Sequence, residues 1–456
     1  MKSKKIISLL IASAVLLCGC SNNQEPAGTV NTDNAVNTEA PQSTAAGTAE
    51  NTQQNTESEA PNVNQVEIGD TSYADGAEDT PYSLDGELTP RMKALIRLNE
   101  GNQVRLANMF KKAAGGEDIT VAYLGGSITQ GSSATESNCY ARLVTDWFEE
   151  TFPDIKVTYV KAGIGATGSY IGVHRADRDV LSQNPDVVFV DFTVNDTTEH
   201  IKRDVNSYDS LMQKLWNGES KPAIVCIGMT QETGISVQSQ HLEVAQHYDL
   251  PFISYRNAIL DVINKGYIKW TDISGDNIHP NVPGHKILSE MIIDYLTEVM
   301  DNKDNISGEE SDFSKPFTDN LYEDAVTLTP ANIEATDPDA VFDPYDDTFS
   351  NMKGYWMASV GGVDGDKVGR LTFKDVEFRS LGILYGRTTT NGGALKILVD
   401  GEEKAVINTK FPNGWGTYAE AAEVVSFDEK GKHTVEIVPE WEDDTLFLYV
   451  SGLLVS

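Results

Sequence analysis

Ser127 follows a short apolar run and two glycines in Val121-Ala-Tyr-Leu-Gly-Gly-Ser127-Ile-Thr-Gln-Gly131, and Asp276-Asn-Ile-His279-Pro lies far downstream. The first pattern sets a hydroxyl on a tight turn at the carboxyl end of a buried strand. The second sets a carboxylate one helical turn before an imidazole. A nucleophile, a base to take its proton and an acid to orient the base are the parts of an acyl-transfer site. The turn alone is ambiguous, because a glycine-rich strand–helix turn can also hold a phosphate. It lacks the Gly-Lys-Ser/Thr ending of a P-loop and the glycine spacing of a dinucleotide fingerprint. Asn195-Asp196 after another apolar run offers a side-chain amide, or simply a loop that caps the next helix.

These groups are useful only if a scaffold gathers them. From about 89 to 302 the sequence alternates helical patterns with five apolar runs: Thr120–Leu124, Val157–Val160, Asp186–Phe192, Ala223–Ile227 and Pro251–Ser254. One helix is expected from Thr89-Pro90 to about Ala114. Others are expected over Cys139–Glu150, near Arg178–Gln183, over Tyr208–Trp216 and Val237–His247, and last over about Val282–Met300. Strands alternating with helices imply a parallel sheet covered on both faces. Sites in such sheets lie beyond the carboxyl ends of the strands, near a switch in strand order. Ser127, Lys161-Ala-Gly163-Ile-Gly165-Ala166-Thr-Gly168, Thr193-Val194-Asn195-Asp196 and Asp276-x-x-His279 all fall at that edge.

In that order and rough spacing, the four blocks resemble those of the SGNH (GDSL-like) hydrolase superfamily over roughly residues 118–300. The resemblance implies an α/β fold: a three-layer α/β/α, flavodoxin-like domain, here with a five-stranded parallel sheet. It implies Ser127 as nucleophile, His279 as base and then acid, and Asp276 as its orienting carboxylate. It also implies an oxyanion hole made of the Ser127 N–H, an N–H from Gly165 or Ala166, and the Asn195 amide. Gly126 stands where the family usually has Asp. His285 is expected to be structural. His174, His200, His241, His247 and His433 are scattered without metal-ligand spacing, so neither a catalytic metal nor a cofactor is expected.

From about Thr327 the pattern changes to short β-like runs: Gly369–Phe373, Leu381–Tyr385, Leu395–Val399, Ala405–Asn408, Ala422–Ser426, Thr434–Val438 and Leu446–Leu454. Turn signals such as Asp400-Gly401 separate them. The spacing fits an all-β sandwich, jelly-roll-like, over 327–456. Tyr355, Trp356, Trp415 and Tyr418 lie on or near its loops. They are candidates for stacking on sugar rings, with core or inter-domain packing the blander alternative.

The ends of this organisation are set by composition. Lys2, Lys4 and Lys5 precede an apolar run from Ile6 to Leu17, which has the shape of a secretory signal and is too short to span a bilayer comfortably. Leu17-Cys18-Gly19-Cys20 resembles a bacterial lipobox, which makes 1–19 a leader and Cys20 a lipidated first residue. Residues 20–88 are polar and almost without aromatics, so they are expected to form a disordered linker. About 45 flexible residues reach roughly 35–40 Å. The remaining division is 89–302 hydrolase, 303–326 linker and 327–456 β domain. No later segment is apolar enough to cross a membrane, so anchoring is expected through lipid alone. Cys139 and Cys226 form no disulfide framework.

The formal charge of −34 excludes nucleic acid as an expected partner, since phosphate contacts need clustered Lys and Arg. The expected function is an extracytoplasmic serine esterase acting on short acyl esters, with O-acetyl groups on polysaccharide as the leading substrate. A lipase or lysophospholipase is the alternative within enzymes. A non-catalytic carbohydrate-binding lipoprotein is the alternative outside them.

Overall fold

The structure, a computed structural model, describes residues 66–336, 342–349, 352–359, 369–390, 392–412, 414, 416–442, 445 and 447–456. The leader, Cys20 and Trp415 lie outside the described residues.

The hydrolase domain is built on a six-stranded sheet: β1 (Arg97–Asn99), β2 (Ile119–Gly125), β3 (Val157–Gly163), β4 (Val187–Asp191), β5 (Ala223–Gly228) and β6 (Phe252–Ser254). Its spatial order is β1-β6-β5-β4-β2-β3. The five strands from β2 to β6 are parallel, and β1 adds an antiparallel edge to β6. Among the parallel strands the order runs second, first, third, fourth, fifth, which is the flavodoxin-like winding. The switch in order therefore falls beside β2, the strand that ends at the Ser127 turn.

The apolar runs form strands because both faces of the sheet are covered. Val121, Tyr123, Val187, Phe189, Val225 and Ile227 join one core, and Ala122, Leu124, Val188, Val190, Ile224 and Cys226 join the other. Successive side chains alternate between the two layers, so a buried parallel strand reads as continuously apolar. Helices begin where local chemistry permits. The Thr89 hydroxyl accepts from the Met92 N–H at the start of Pro90–Leu95. The Asn281 side chain accepts from the Gly284 N–H at the start of Val282–Asn302.

Four expectations change. The single helix from Thr89 to Ala114 is two helices, Pro90–Leu95 and Val104–Ala114, with β1 between them. Residues 97–99 pair with β6, and Gly101 follows at φ +64°, in the left-handed region, where a Cβ would overlap Pro251. The sheet thus has six strands rather than five. The linker reaching residue 88 ends sooner, because Ala74, Tyr82 and Leu88 are buried in the hydrolase core. A few apolar side chains suffice there because the core they pack against already exists. The join over 303–326 is likewise seated: Phe313 stacks between Trp216 and Tyr248 at 4.4 and 4.0 Å, and Tyr322 is buried. A helix over Tyr255–Asn264 had no separate signal, because Ser254 ends β6 and caps the helix at once.

The second domain is an all-β antiparallel sandwich of eight strands: β7 (Val326–Leu328), β8 (Phe342–Phe349), β9 (Met352–Ser359), β10 (Leu371–Arg387), β11 (Ala394–Val399), β12 (Glu402–Asn408), β13 (Tyr418–Glu440) and β14 (Phe447–Val455). Expected pairs of short strands are fused into β10 and β13. Register shifts at Phe373/Val376, Phe378/Ser380 and Leu381/Gly382 interrupt their pairing, and such bulges bend a strand without ending it. Met352, Leu384, Ala419, Ala421 and Leu454 join the hydrolase core on the side of the helix Ser169–Asp179. The two domains therefore share apolar packing. Cys139 and Cys226 are free and buried. No helix among the described residues is long and apolar enough to cross a membrane.

Candidate active site

The turn after β2 is dictated by space. A Cβ at Gly125 would overlap Thr129 Oγ1 and lie 2.6 Å from the Asp191 carbonyl, and a Cβ at Gly126 would overlap Asn195 Oδ1. Ser127 then opens a single helical turn, Ser127–Gln130, closed by Gly131 at φ +94°. The serine is almost buried, and its Oγ lies 2.9 Å from His279 Nε2.

His279 sits on a loop pinched by the Ser274–Pro280 bridge. Asp276 Oδ1 accepts from the N–H groups of Ile278 and His279 at 2.8 and 2.7 Å, and its Oδ2 lies 2.7 Å from His279 Nδ1. Partial burial opposes ionisation of Asp276. The hydrogen bonds from the His279 backbone and ring and from the Ile278 N–H outweigh it and hold the carboxyl below its ordinary pKa. An ionised Asp276 accepts a hydrogen bond from Nδ1–H and so keeps the proton on that nitrogen, which leaves Nε2 to accept from the Ser127 hydroxyl. Trp270 Nε1 donates to the Asp276 carbonyl at 2.6 Å and so ties the loop to the short helix Trp270–Ile273.

Three unused donors gather beside Ser127. Gly165 is not one of them: its N–H donates to Gln130 Oε1 at 2.7 Å. The N–H groups of Ser127 and Ala166 and the Asn195 side-chain amide meet no acceptor among the described residues. Ala166 has φ +59°, a left-handed conformation that bends the loop after β3. A Cβ built on Gly165 would lie 3.9 Å from Ser127 Cβ, which places this loop against the serine. Between Gly165 and Ala166, both open at the sequence level, the geometry favours Ala166. Gln130 was missed; its only sequence signal is its position one turn after Ser127.

Gly126 now has a physical reason. The Asn195 amide occupies the space where a side chain at 126 would stand. Gly126→Ala is expected to displace Asn195 and to lower kcat about 10- to 100-fold with little change in KM, somewhat less than loss of an oxyanion donor. Kinetics on a nitrophenyl ester beside the unaltered protein check this, and an unchanged kcat would remove Asn195 from the site.

Asp196 plays a different part from its neighbour. Its Oδ1 accepts from the Ser169 N–H at 2.7 Å, capping the helix Ser169–Asp179 that precedes β4. Its Oδ2 lies 2.9 Å from His241 Nε2, and the His241 ring stacks on Tyr208 at 3.7 Å. His285 cross-links the last helix: its Nδ1 accepts from the Tyr140 N–H, and its Nε2 lies 3.2 Å from the Ser132 carbonyl. Burial pushes the His285 pKa down to about 4, so the ring is neutral.

A cleft of about 650 Å³ adjoins the donors. Ala166, Asn195 and Ile278 form its hydrolase wall, and Tyr385, Arg387, Tyr418 and Glu420 of the β domain form the other. Arg387 pairs with Glu420 at 3.2 Å and lies over the Phe411 ring at 4.0 Å. Of the aromatics singled out for sugars, Tyr418 lines this cleft. Trp356 does not: it is buried in the β-domain core, edge-on to Phe373. Tyr355 stacks on Tyr345 at 5.2 Å and meets Tyr449 edge-on. Tyr385, Arg387 and Glu420 carry no sequence signal, because they meet the site only through inter-domain packing.

The model of the GDSL-like lipase/acylhydrolase family matches residues 123–287. No curated protein matches the chain. Among solved structures, a two-domain esterase (CEX) active on acetylated mannans is 30% identical with a TM-score of 0.71, and the match covers 80% of this chain and 97% of that one. The same two-domain esterase co-crystallised with mannopentaose or alone gives the same identity and score. An acetylxylan esterase from Geobacillus stearothermophilus is 17% identical with a TM-score of 0.33, covering 39% of this chain and 94% of its own. The chain belongs to the GDSL-like (SGNH) acylhydrolase family and is a two-domain carboxylic ester hydrolase.

Proposed function

We propose that this protein removes acetyl groups from a neutral polysaccharide, with an acetylated mannan as the leading substrate. The observation that carries the reading is the unbroken chain from Ser127 Oγ through the His279 ring to Asp276. Ser127 attacks the acetyl carbonyl while His279 Nε2 takes its proton. The developing oxyanion is met by the N–H groups of Ser127 and Ala166 and by the Asn195 amide. As the tetrahedral species collapses, His279 returns the proton to the departing sugar oxygen. Water then repeats the sequence on the acetyl-serine and releases acetate.

The substrate class follows from the cleft and the charge. Tyr385 and Tyr418, both largely buried, bring part of their rings to the cleft wall, and the more exposed Arg387 and Glu420 offer partners for sugar hydroxyls. A formal charge of −34 disfavours polyuronic chains. Activity of the 30% identical two-domain esterase on acetylated mannans supports mannan specifically. Glu199, His200, Arg203 and Glu423 line the same cleft, and these charged and polar groups speak against a fatty acyl chain there and against a lipase. The protein works outside the cytoplasm, tethered through Cys20; membrane partition of the full-length chain, lost in Cys20→Ala, is the matching test.

Acetate release from acetylated mannan, acetylated xylan and nitrophenyl acetate tests the substrate reading. Arg387→Ala is expected to lower the ratio of kcat/KM for acetylated manno-oligosaccharide to that for nitrophenyl acetate about 10-fold. That corresponds to losing one charge-assisted contact. A ratio that does not move would remove the β-domain wall from substrate binding.

A further inference from the structure

Arg175 is a fully buried cation that the reaction steps above do not use. It lies on the helix Ser169–Asp179 at 1% exposure. Its Nη2 donates to the Gly125 carbonyl at 3.0 Å, and its Nη1 donates to the Ala162 carbonyl at 2.8 Å and to Asp179 Oδ2 at 3.0 Å. Asp179 is shared with Arg178 at 2.6 Å, so charge pairing for Arg175 is incomplete. Burying a cation is costly, and an apolar side chain of similar volume would fill this core more cheaply. The position of its hydrogen bonds shows what the guanidinium provides.

Gly125 is the last residue of β2, two before Ser127. Ala162 is next to last in β3 and leads into the loop of Gly165 and Ala166. The Gly125 carbonyl also accepts from the Ile164 N–H at 3.1 Å. One planar guanidinium thus straps the base of the serine turn to the base of the loop that carries the Ala166 donor. The same helix receives Asp196 at its N-terminus through the Ser169 N–H, and Asp196 is the neighbour of Asn195. All three oxyanion donors are therefore referenced to this one helix.

We propose that Arg175 is a positioning residue that sets the spacing between the Ser127 turn and the Ala166 donor, and so tunes the oxyanion hole. The inference rests on the esterase reading above. A lysine cannot replace it, because a single ammonium does not present the fork that reaches two strand ends at once. Small displacements matter here, because the hole acts through donors already aimed at the developing charge.

The test uses Arg175→Lys and Arg175→Met in the full chain, with rates expressed per active site titrated by a nitrophenyl phosphonate. Both variants are expected to lose about 10- to 100-fold in kcat with KM within about twofold. Phosphonylation of Ser127, which also places an oxygen in the hole, is expected to slow by a similar factor. Asn195→Ala is expected to cost less in the Arg175→Met background than alone, because both changes damage one hole. Wild-type kcat per titrated site, with only thermal stability reduced, overturns the proposal, as do fully additive effects with Asn195→Ala. Wild-type protein that neither releases acetate nor is phosphonylated overturns the esterase reading and this inference with it.

Discussion

Ser127→Ala is expected to lower kcat/KM for a short-chain nitrophenyl ester by at least about 10⁴-fold, with the folded protein intact. The size follows from what the substitution leaves behind. An oxyanion hole and a binding cleft still accelerate the reaction by water, but no acetyl-enzyme can form. The fold is indifferent to the change because among the described residues Oγ has only the His279 ring as partner, at 2.9 Å. Removing one oxygen from an almost buried side chain that makes no other hydrogen bond among the described residues should shift the melting temperature by no more than about a few degrees. Acetate release and thermal melting of the variant beside the unaltered protein check both halves. Retained hydrolysis would end the serine mechanism.

His279→Ala is expected to cost about 10³- to 10⁵-fold in kcat, and Asp276→Asn less, about 10²- to 10⁴-fold. The order follows from position. The imidazole carries the proton in both halves of the reaction, whereas the carboxylate only orients and stabilises it. Asp276 is also partly exposed, its side chain 45% accessible, so water can take over some of its electrostatic part. Asparagine at 276 would present an amide to His279 Nδ1 and disturb the tautomer that leaves Nε2 as acceptor. The decisive measurement is the double variant. If Ser127 and His279 act as one unit, Ser127→Ala with His279→Ala is no slower than the worse single variant. Losses that multiply would mean the two side chains act separately, despite the hydrogen bond between them.

The legible parts of this protein are those written in local patterns. All five apolar runs of the hydrolase domain are strands, and the four blocks fall at their carboxyl ends. Periodicity carries that information because each buried strand must be apolar on both sides. The misreadings came from the opposite case. The helix that continues from residue 95 to 104 on paper is interrupted where residues 97–99 pair with β6 and Gly101 then passes close to Pro251, some 150 residues away. The residues 66–88 read as linker because their few apolar side chains form no periodic face. They are fixed by a core assembled elsewhere.

The site divides in the same way. Ser127, Asp276 and His279, which the structure joins by hydrogen bonds, could be singled out because hydroxyl, carboxylate and imidazole are chemical types with defined local settings. Asn195 is recognisable with them from its place after β4. The hole is less so. Gly165 and Ala166 are equivalent on paper. They differ in space because the Gln130 side chain already occupies the Gly165 N–H, which leaves Ala166. Trp356 shows the converse: an aromatic on a turn-rich stretch resembles a sugar platform until burial against Phe373 shows it to be core.

The sequence by itself determined the strand–helix alternation of the hydrolase domain, the change to a β domain and the four short blocks whose family resemblance implies the winding, the reaction class and Ser127 and His279 as candidate nucleophile and base. Each rests on residue type and on spacing within a few turns or strands. The tertiary structure alone decided which backbone N–H is free, why position 126 carries no side chain and which β-domain residues wall the cleft. It also showed that a buried Arg175 ties two strand ends together. Those depend on distances between segments tens to hundreds of residues apart, which are set by packing the whole chain and by no stretch of it.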